Sequence, residues 1–156
     1  MRRDATLGGL LATLALAVAG CGGSAARPTP NFATIANTIC TNADTEIAAL
    51  PAGGSSLGAL AAQAQRELPI VRTEVRQLSA LVAPRSEQAD FSTALSAAHQ
   101  QLPLIARLIS AVRAQRTASV ATIALRARAL DQRDKATMAA LGLNACASQA
   151  LPRGRG

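Results

Sequence analysis

A chain of 156 residues is long enough for one domain with a single hydrophobic core. It contains two Phe, no Tyr and no Trp, so it lacks the aromatic side chains on which nucleic-acid bases stack. Its net charge of +7 comes mostly from scattered arginines, and we therefore expect no nucleic-acid partner. Alanine, leucine, arginine and glutamine are abundant, and because all four are strong helix formers the composition predicts an all-α protein.

The chain begins with the features of a bacterial export signal. Two arginines precede an apolar run from Leu7 to Ala19, and Val18-Ala19-Gly20-Cys21 resembles a lipobox. The apolar run is shorter than the roughly 20 residues needed to span a bilayer. We therefore expect residues 1–20 to be a lipoprotein signal peptide and Cys21 to be the lipid-attachment site. The alternatives are an uncleaved anchor and ordinary cleavage after Ala19, which would release a secreted protein.

Lipidation of Cys21 would place the protein on the extracytoplasmic face of the cell membrane. A diacylglycerol on the thiol supplies two chains, which hold a protein stably where a single chain does not. Residues 21–30 are rich in Gly and Ser and then in Pro, a composition typical of a flexible tether. Membrane lipid is thus the first expected partner. An envelope protein or polymer is a second, and the positive charge of the domain suits an anionic surface.

Two cysteines remain once Cys21 is assigned to lipid. Cysteines in exported proteins are expected to pair, which predicts a Cys40–Cys146 disulfide. The alternative is two buried free thiols. Closing a loop of this size would stabilise the fold by roughly 4–5 kcal/mol.

The first predicted helix starts at Thr29 or Asn31, both of which can cap a helix. Its apolar residues from Phe32 to Leu50 recur every three or four positions and form one stripe. Cys40 lies in this stripe, so its thiol should point inward. The Pro- and Gly-rich segment 51–56 ends the helix.

The second predicted helix runs from about Ser56 to Val82, with apolar residues close to a heptad spacing. Pro69 interrupts it, but the apolar pattern stays in phase on both sides, which favours one kinked helix. Glu67 and Glu74 lie one heptad apart among arginines. This pattern predicts an outer face with salt bridges.

The third predicted helix follows a possible cap at Ser86 and ends near Val112. Pro103 lies in its interior, as Pro69 does in the second helix. The two prolines either bend neighbouring helices together around one core or mark a functional opening. His99 lies beside the apolar stripe, and we expect a boundary histidine with no catalytic role.

The fourth predicted helix begins at Thr117 or Ser119 and ends at Leu141, with Gly142 as its C-cap. The boundary with the third helix carries no Gly or Pro and is set by the end of the apolar stripe. Cys146 follows shortly after and can fold back onto the first helix.

We expect different interactions for three charged residues of the fourth helix. Asp131 and Lys135 form an i,i+4 ion pair. Asp134 is either a partly exposed or arginine-paired acid, or a polar group that lines a pocket.

Several kinds of chemistry lack their usual sequence signals. One histidine and two paired cysteines do not supply the ligands of a zinc site. There is no Glu-x-x-His repeat for a di-iron bundle and no Gly-x-Ser-x-Gly elbow, and the glycine-rich segment 53–58 lacks the lysine of a phosphate loop. We therefore expect no catalytic residue, metal or cofactor, and a protein that is not an enzyme.

Short loops make consecutive helices antiparallel. The sequence thus predicts an up-and-down antiparallel four-helix bundle over residues 31–146, closed by the Cys40–Cys146 disulfide, with a disordered basic tail over residues 147–156. The inward cysteine of the first helix and the ending Leu141-Gly142-Leu143-Asn144-Ala145-Cys146 resemble a broad group of small helical lipoproteins from high-GC Gram-positive bacteria. The resemblance covers about residues 31–146 and implies a helical bundle with a disulfide, but no activity.

We expect a surface-anchored helical module that binds a protein, an envelope polymer or a small apolar ligand. The alternatives are a structural or envelope-stress role without a specific ligand, and an enzyme. A deep cavity near Pro69 and Pro103 would favour ligand binding, and a solid core would favour the structural role. Clustered carboxyl groups with perturbed pKa values in a cleft would favour an enzyme.

Overall fold

The computed structural model describes residues 31–149, and this part of the chain is helical without any strand. Its helices are α1 (Phe32–Ala48), α2 (Leu57–Ser79), α3 (Gln88–Arg113), α4 (Thr117–Ala140) and α5 (Asn144–Ser148). The four long helices agree with the prediction, whereas α5 was not anticipated. No helix in the described range is long and apolar enough to cross a membrane. The expectations for residues 1–30, including Cys21, and for residues 150–156 lie outside the described residues.

Side-chain caps fix the starts of α1 and α2. The Asn31 side chain accepts a hydrogen bond from the Thr34 backbone N–H at 2.8 Å, so Asn31 is the observed cap of α1, while Thr29 lies outside the described residues. Ser56 caps α2 in the same way by accepting from the Ala59 N–H at 3.2 Å.

Two helix boundaries differ from the prediction near Pro84. Helix α2 ends at Ser79 rather than Val82, and the Ala80 and Leu81 N–H groups form a tighter turn by donating to the Gln77 and Leu78 carbonyls at 3.2 and 3.0 Å. Ser86 does not cap α3. Instead, the Glu87 N–H donates to the Pro84 carbonyl at 2.9 Å, which closes a turn and delays the helix to Gln88.

The boundary between α3 and α4 is a Schellman motif built on a glutamine. Gln115 adopts a left-handed conformation with φ of 54°, and its N–H donates to the Val112 carbonyl at 3.0 Å. The Arg116 N–H reaches back to the Ala111 carbonyl at 2.9 Å. Helix α4 then begins at Thr117, one of the two predicted starts.

The end of α4 repeats this motif at the predicted glycine. Gly142 has φ of 71°, its N–H donates to the Ala139 carbonyl, and the Leu143 N–H donates to the Met138 carbonyl at 2.9 Å. Leu143 is fully buried, so the turn directs the chain back over the core.

The turn after α4 leads into α5, which closes the bundle. Helix α1 packs against α2 and α5, α3 packs between α2 and α4, and α4 packs against α5. The sulfur atoms of Cys40 in α1 and Cys146 in α5 lie at disulfide-bonding distance, 2.02 Å, as the sequence predicts. The Asn37 amide fixes the same joint by donating to the Gly142 carbonyl at 3.2 Å and accepting from the Ala145 N–H at 2.8 Å.

The folded part continues beyond the predicted boundary at Cys146. Ser148 belongs to α5, and the Gln149 side chain donates to the Cys40 carbonyl at 3.0 Å. Residues 147–149 are therefore part of the domain and not of a tail.

The core consists of two apolar clusters at different levels of the bundle. The larger one surrounds the disulfide and includes the edge-to-face pair of Phe32 and Phe91, whose ring centroids are 4.8 Å apart. The smaller one joins α2 to α3 through Ala64, Leu68, Ile105 and Ile109. Along the helices, a layer of polar side chains lies between the two clusters.

Candidate functional site

A cavity of about 110 Å³ opens at the level of this polar layer, and we call it the central cleft. All five described helices or their ends contribute to its lining. Its polar lining residues are Asp44, Glu67, Gln101, Asp131, Asp134, Lys135 and Gln149. Four of the eight acids in the described residues thus line one cavity of a protein whose net charge is +7.

The central cleft lies beside both helix prolines. Leu68 and Val71 line it next to Pro69, and Gln101 and Ile105 line it on either side of Pro103. Proline lacks an N–H, so it leaves one helical carbonyl without its usual partner and loosens the helix at that point. A cavity therefore lies beside both prolines, which is where one of the two expectations placed an opening.

The prediction that Glu67 and Glu74 lie on an outer face of α2 with salt bridges is wrong. Glu67 and Glu74 are only 8% and 5% exposed. Glu67 accepts a hydrogen bond from Gln63 at 2.7 Å, and Glu74 accepts one from Gln149 at 2.7 Å. The heptad spacing did place both acids on one face, but α5 and Gln149 bring protein atoms over Glu74 where solvent was expected.

Burial raises the pKa of two carboxyl groups at this level. Desolvation, together with repulsion from Asp44 and Asp134, raises the pKa of Glu74 to about 7, although the hydrogen bond from Gln149 opposes the shift. Desolvation and repulsion from Asp131 raise the pKa of Asp134 to about 6, while Lys135 opposes that shift. Burial also raises the pKa of Asp44.

Two polar atoms of the central cleft are buried without a hydrogen-bond partner. They are the Oδ1 atom of Asp134 and the Nε2 atom of Gln101. Leaving such a group unsatisfied costs about 1–3 kcal/mol. Asp134 is partly exposed, as one of its two expectations had it, and it also lines the cavity, as the other had it.

The charged groups of the central cleft are unequally paired. The Lys135 Nζ lies 2.9 Å from the Asp131 Oδ2, which is the predicted i,i+4 pair. Asp134, by contrast, keeps an unpartnered oxygen. Within residues 31–149, no group of three or more His, Cys, Asp or Glu has an arrangement that would hold a metal ion. The unpartnered oxygen of Asp134 is able to accept a hydrogen bond from an N–H or O–H group.

His99 stands apart from the central cleft. Its Nε2 atom lies 3.1 Å from the Ser79 hydroxyl, and its side chain is exposed.

A second cavity, which we call the apolar groove, lies between α2, α3 and α4. Its volume is about 240 Å³. All of its lining residues are apolar: Leu57, Leu60, Ala61, Ala64, Ile105, Leu108, Ile109, Val112, Val120, Ala124 and Ala127.

Comparison of the chain with models of known families, with curated proteins and with solved structures finds no match.

Sequence reasoning identified Asp134 as a pocket candidate but missed Asp44, Gln101 and Gln149. The sequence contained one signal for buried acids. Glu67 and Glu74 are seven residues apart, which is also the spacing at which the apolar stripe of α2 repeats. No comparable signal marks Gln101 or Gln149, since amides are ordinary on exposed helix faces and only tertiary contacts bring these two into the cleft.

Proposed function

We propose that this protein is a membrane-anchored helical lipoprotein whose domain binds a small organic cation in the central cleft. The observation that carries the proposal is the buried, unpartnered Oδ1 atom of Asp134 in a cavity lined by further carboxyl groups. A protonated amine or guanidinium would donate to this oxygen. The Gln101 Nε2 atom would donate to an acceptor on the same ligand or to a water beside it.

The electrostatics of the central cleft support a cationic ligand. Asp44 and Asp134 line the cavity and have raised pKa values, chiefly because burial disfavours their ionised forms. A positive charge bound beside them would favour the ionised forms and lower both pKa values. Binding near neutral pH should therefore release protons.

The arrangement of the long helices forms part of the proposal. The connections over residues 49–56, 80–87 and 114–116 are short, which favours antiparallel neighbours in an up-and-down bundle. In this arrangement α1 and α5 bring Asp44 and Gln149 to the same level as Asp134.

Titration of the full-length Cys21→Ser chain with methylammonium and guanidinium chloride, against sodium chloride at equal ionic strength, tests the ligand class. Calorimetry in two buffers that differ in ionisation enthalpy should show binding with proton release between about pH 6 and 7. Asp134→Asn should lose most of the binding, and Asp90→Asn, which makes the same change at an exposed site, should not. Equal effects of all salts on the protein would contradict the proposal and favour a structural role.

The anchor is supported by the sequence at Cys21 and is tested separately. Cells that express the protein and are fed labelled palmitate should label the wild type but not Cys21→Ser. Wild-type protein without label would show that the chain is not lipid-anchored.

General acid–base chemistry in the same cavity is a second candidate function. The pKa of Asp134, about 6, suits proton transfer near neutral pH. The described lining residues provide no hydroxyl or free thiol, however, which favours binding over covalent catalysis. Recovery of a chemically changed ligand from the titrations would favour the enzyme.

A further inference from the structure

The central cleft and the apolar groove are neighbours that share part of their walls. Ala64 of α2 and Ile105 of α3 line both cavities. The central cleft is lined by both polar and apolar side chains, whereas the apolar groove is lined by apolar residues only. A ligand that occupies both would therefore need one polar end and one apolar end.

Helix α1 contributes no residue to the apolar groove. Helix α1 ends at Ala48 and contributes to the central cleft but not to the groove. Helices α2 and α4 both pack on α3 and make no close backbone contact with each other, so the space between them stays open. Leu57, at the start of α2, lines this space and is 58% exposed.

The size of the apolar groove limits what it accepts. A dry apolar cavity of about 150 Å³ holds a benzene molecule. At about 240 Å³, the groove has room for part of one hydrocarbon chain but not for two chains side by side.

We infer that the two cavities form one binding site for a cationic amphiphile. Such a ligand is an ammonium or guanidinium group with a single hydrocarbon chain. Its head would lie in the central cleft near Asp134 and Gln101, and its chain would lie in the apolar groove. The position of the head rests on the proposed function, whereas the position of the chain rests on the groove.

The charge distribution argues against a second copy of the protein in the groove. The segments 57–66 and 104–130, which form the groove, carry Arg66 and five further arginines but no acid. Two copies that met through this end would repel each other. An anionic chain would find only exposed arginines, whose pairing in water is weak. The buried unpartnered carboxyl oxygen of Asp134 instead selects a cationic head.

A series of n-alkylammonium chlorides from methyl to decyl, kept below micelle-forming concentrations, tests the inference on the full-length Cys21→Ser chain. Each added methylene should strengthen binding about three- to fourfold until the groove is filled. Decanoate, which has a similar chain and a negative head, should bind at least tenfold more weakly than decylammonium.

Ala124→Leu is the variant that separates the two halves of the site. Ala124 lines the groove at an exposed position, so a larger side chain fills the groove without disturbing the core. This substitution should weaken the binding of decylammonium at least tenfold and leave the binding of methylammonium unchanged. Ala129→Leu is the matched control on the same helix, since Ala129 is exposed and does not line the groove. Thermal unfolding should confirm that both variants are folded.

The outcomes distinguish the two proposals. If methylammonium binds but the affinity does not increase with chain length, the inference of an amphiphile site is overturned. The proposal of a cation site in the central cleft would then still stand. Strong binding of decanoate and decylammonium alike, unaffected by Asp134→Asn, would assign the groove to hydrocarbon alone and overturn both proposals. Absence of binding across the series would also overturn both.

Discussion

Glu74 carries a carboxyl group into a place where a charge is poorly solvated. Its pKa of about 7 means that the folded protein holds a proton that the unfolded chain releases near pH 4.5. The folded state is therefore favoured below pH 4.5, and this part of the stability is lost as the pH rises to about 7. The shift corresponds to roughly 3 kcal/mol.

Glu74→Gln should remove this pH dependence while keeping the shape of the side chain and an acceptor for Gln149. We expect the variant to be more stable than the wild type by about 2–3 kcal/mol at pH 8 and nearly equal to it at pH 4. Urea unfolding across this pH range measures the difference.

Glu46→Gln is the control for this change, because Glu46 is exposed on α1. Asp134 retains its own raised pKa in both variants, so a residual slope between pH 3.8 and about 6 is expected. If Glu74→Gln and the wild type gave parallel stability curves, the burial of a protonated Glu74 would be refuted.

At the scale of elements, α3 and α4 end in the same backbone motif on different residues. Both require a left-handed residue after the helix, which is Gln115 in one case and Gly142 in the other. A residue with a Cβ pays about 1–2 kcal/mol in this conformation, whereas glycine does not. Gln115 thus holds a strained position.

Gln115→Gly should stabilise the protein by about 0.5–1 kcal/mol, because the relief of strain exceeds the greater freedom of glycine in the unfolded chain. Gly142→Ala should destabilise it by about 1 kcal/mol for the opposite reason. Thermal and urea unfolding measure both.

Gln132→Gly within α4 is the control for Gln115→Gly. It should destabilise the protein by about 1 kcal/mol, since the same exchange in a helix interior only adds flexibility. Equal effects at positions 115 and 132 would show that no strain is present.

At the scale of the whole molecule, the disulfide joins the first and last described helices. It links Cys40 to Cys146 across 106 positions and lies in the larger apolar cluster. Because α5 has only five residues, its position depends on this bond and on the Asn37 hydrogen bonds.

The double variant Cys40→Ala/Cys146→Ala should lose roughly 4–5 kcal/mol of unfolding free energy. It should also expose Glu74, since Gln149 lies three residues after Cys146 and would no longer be held over it. Hydrogen exchange should show faster opening at 144–149 than in α2 and α3. A variant as stable as the wild type would mean that packing alone holds α5.

Local sequence signals predicted the four long helices and several of their ends. Apolar periodicity placed the four long helices, and local side chains such as Asn31, Ser56 and Gly142 marked their limits. The cysteine count predicted the Cys40–Cys146 pair, and spacing predicted the Asp131–Lys135 pair. The helix ends and the ion pair depend on residues that are close in the sequence. The disulfide is predictable because only cysteine can form one.

Contacts between distant parts of the chain settle which polar residues enter the core. Heptad spacing put Glu67 and Glu74 on one face, but whether that face meets water or protein depends on α5 and Gln149, which are distant in the chain. The apolar groove likewise depends on how α2 and α4 pack on α3, which no local pattern reports. Periodicity shows which residues share a face of a helix. The free energy of burying charges on that face depends on what packs against it.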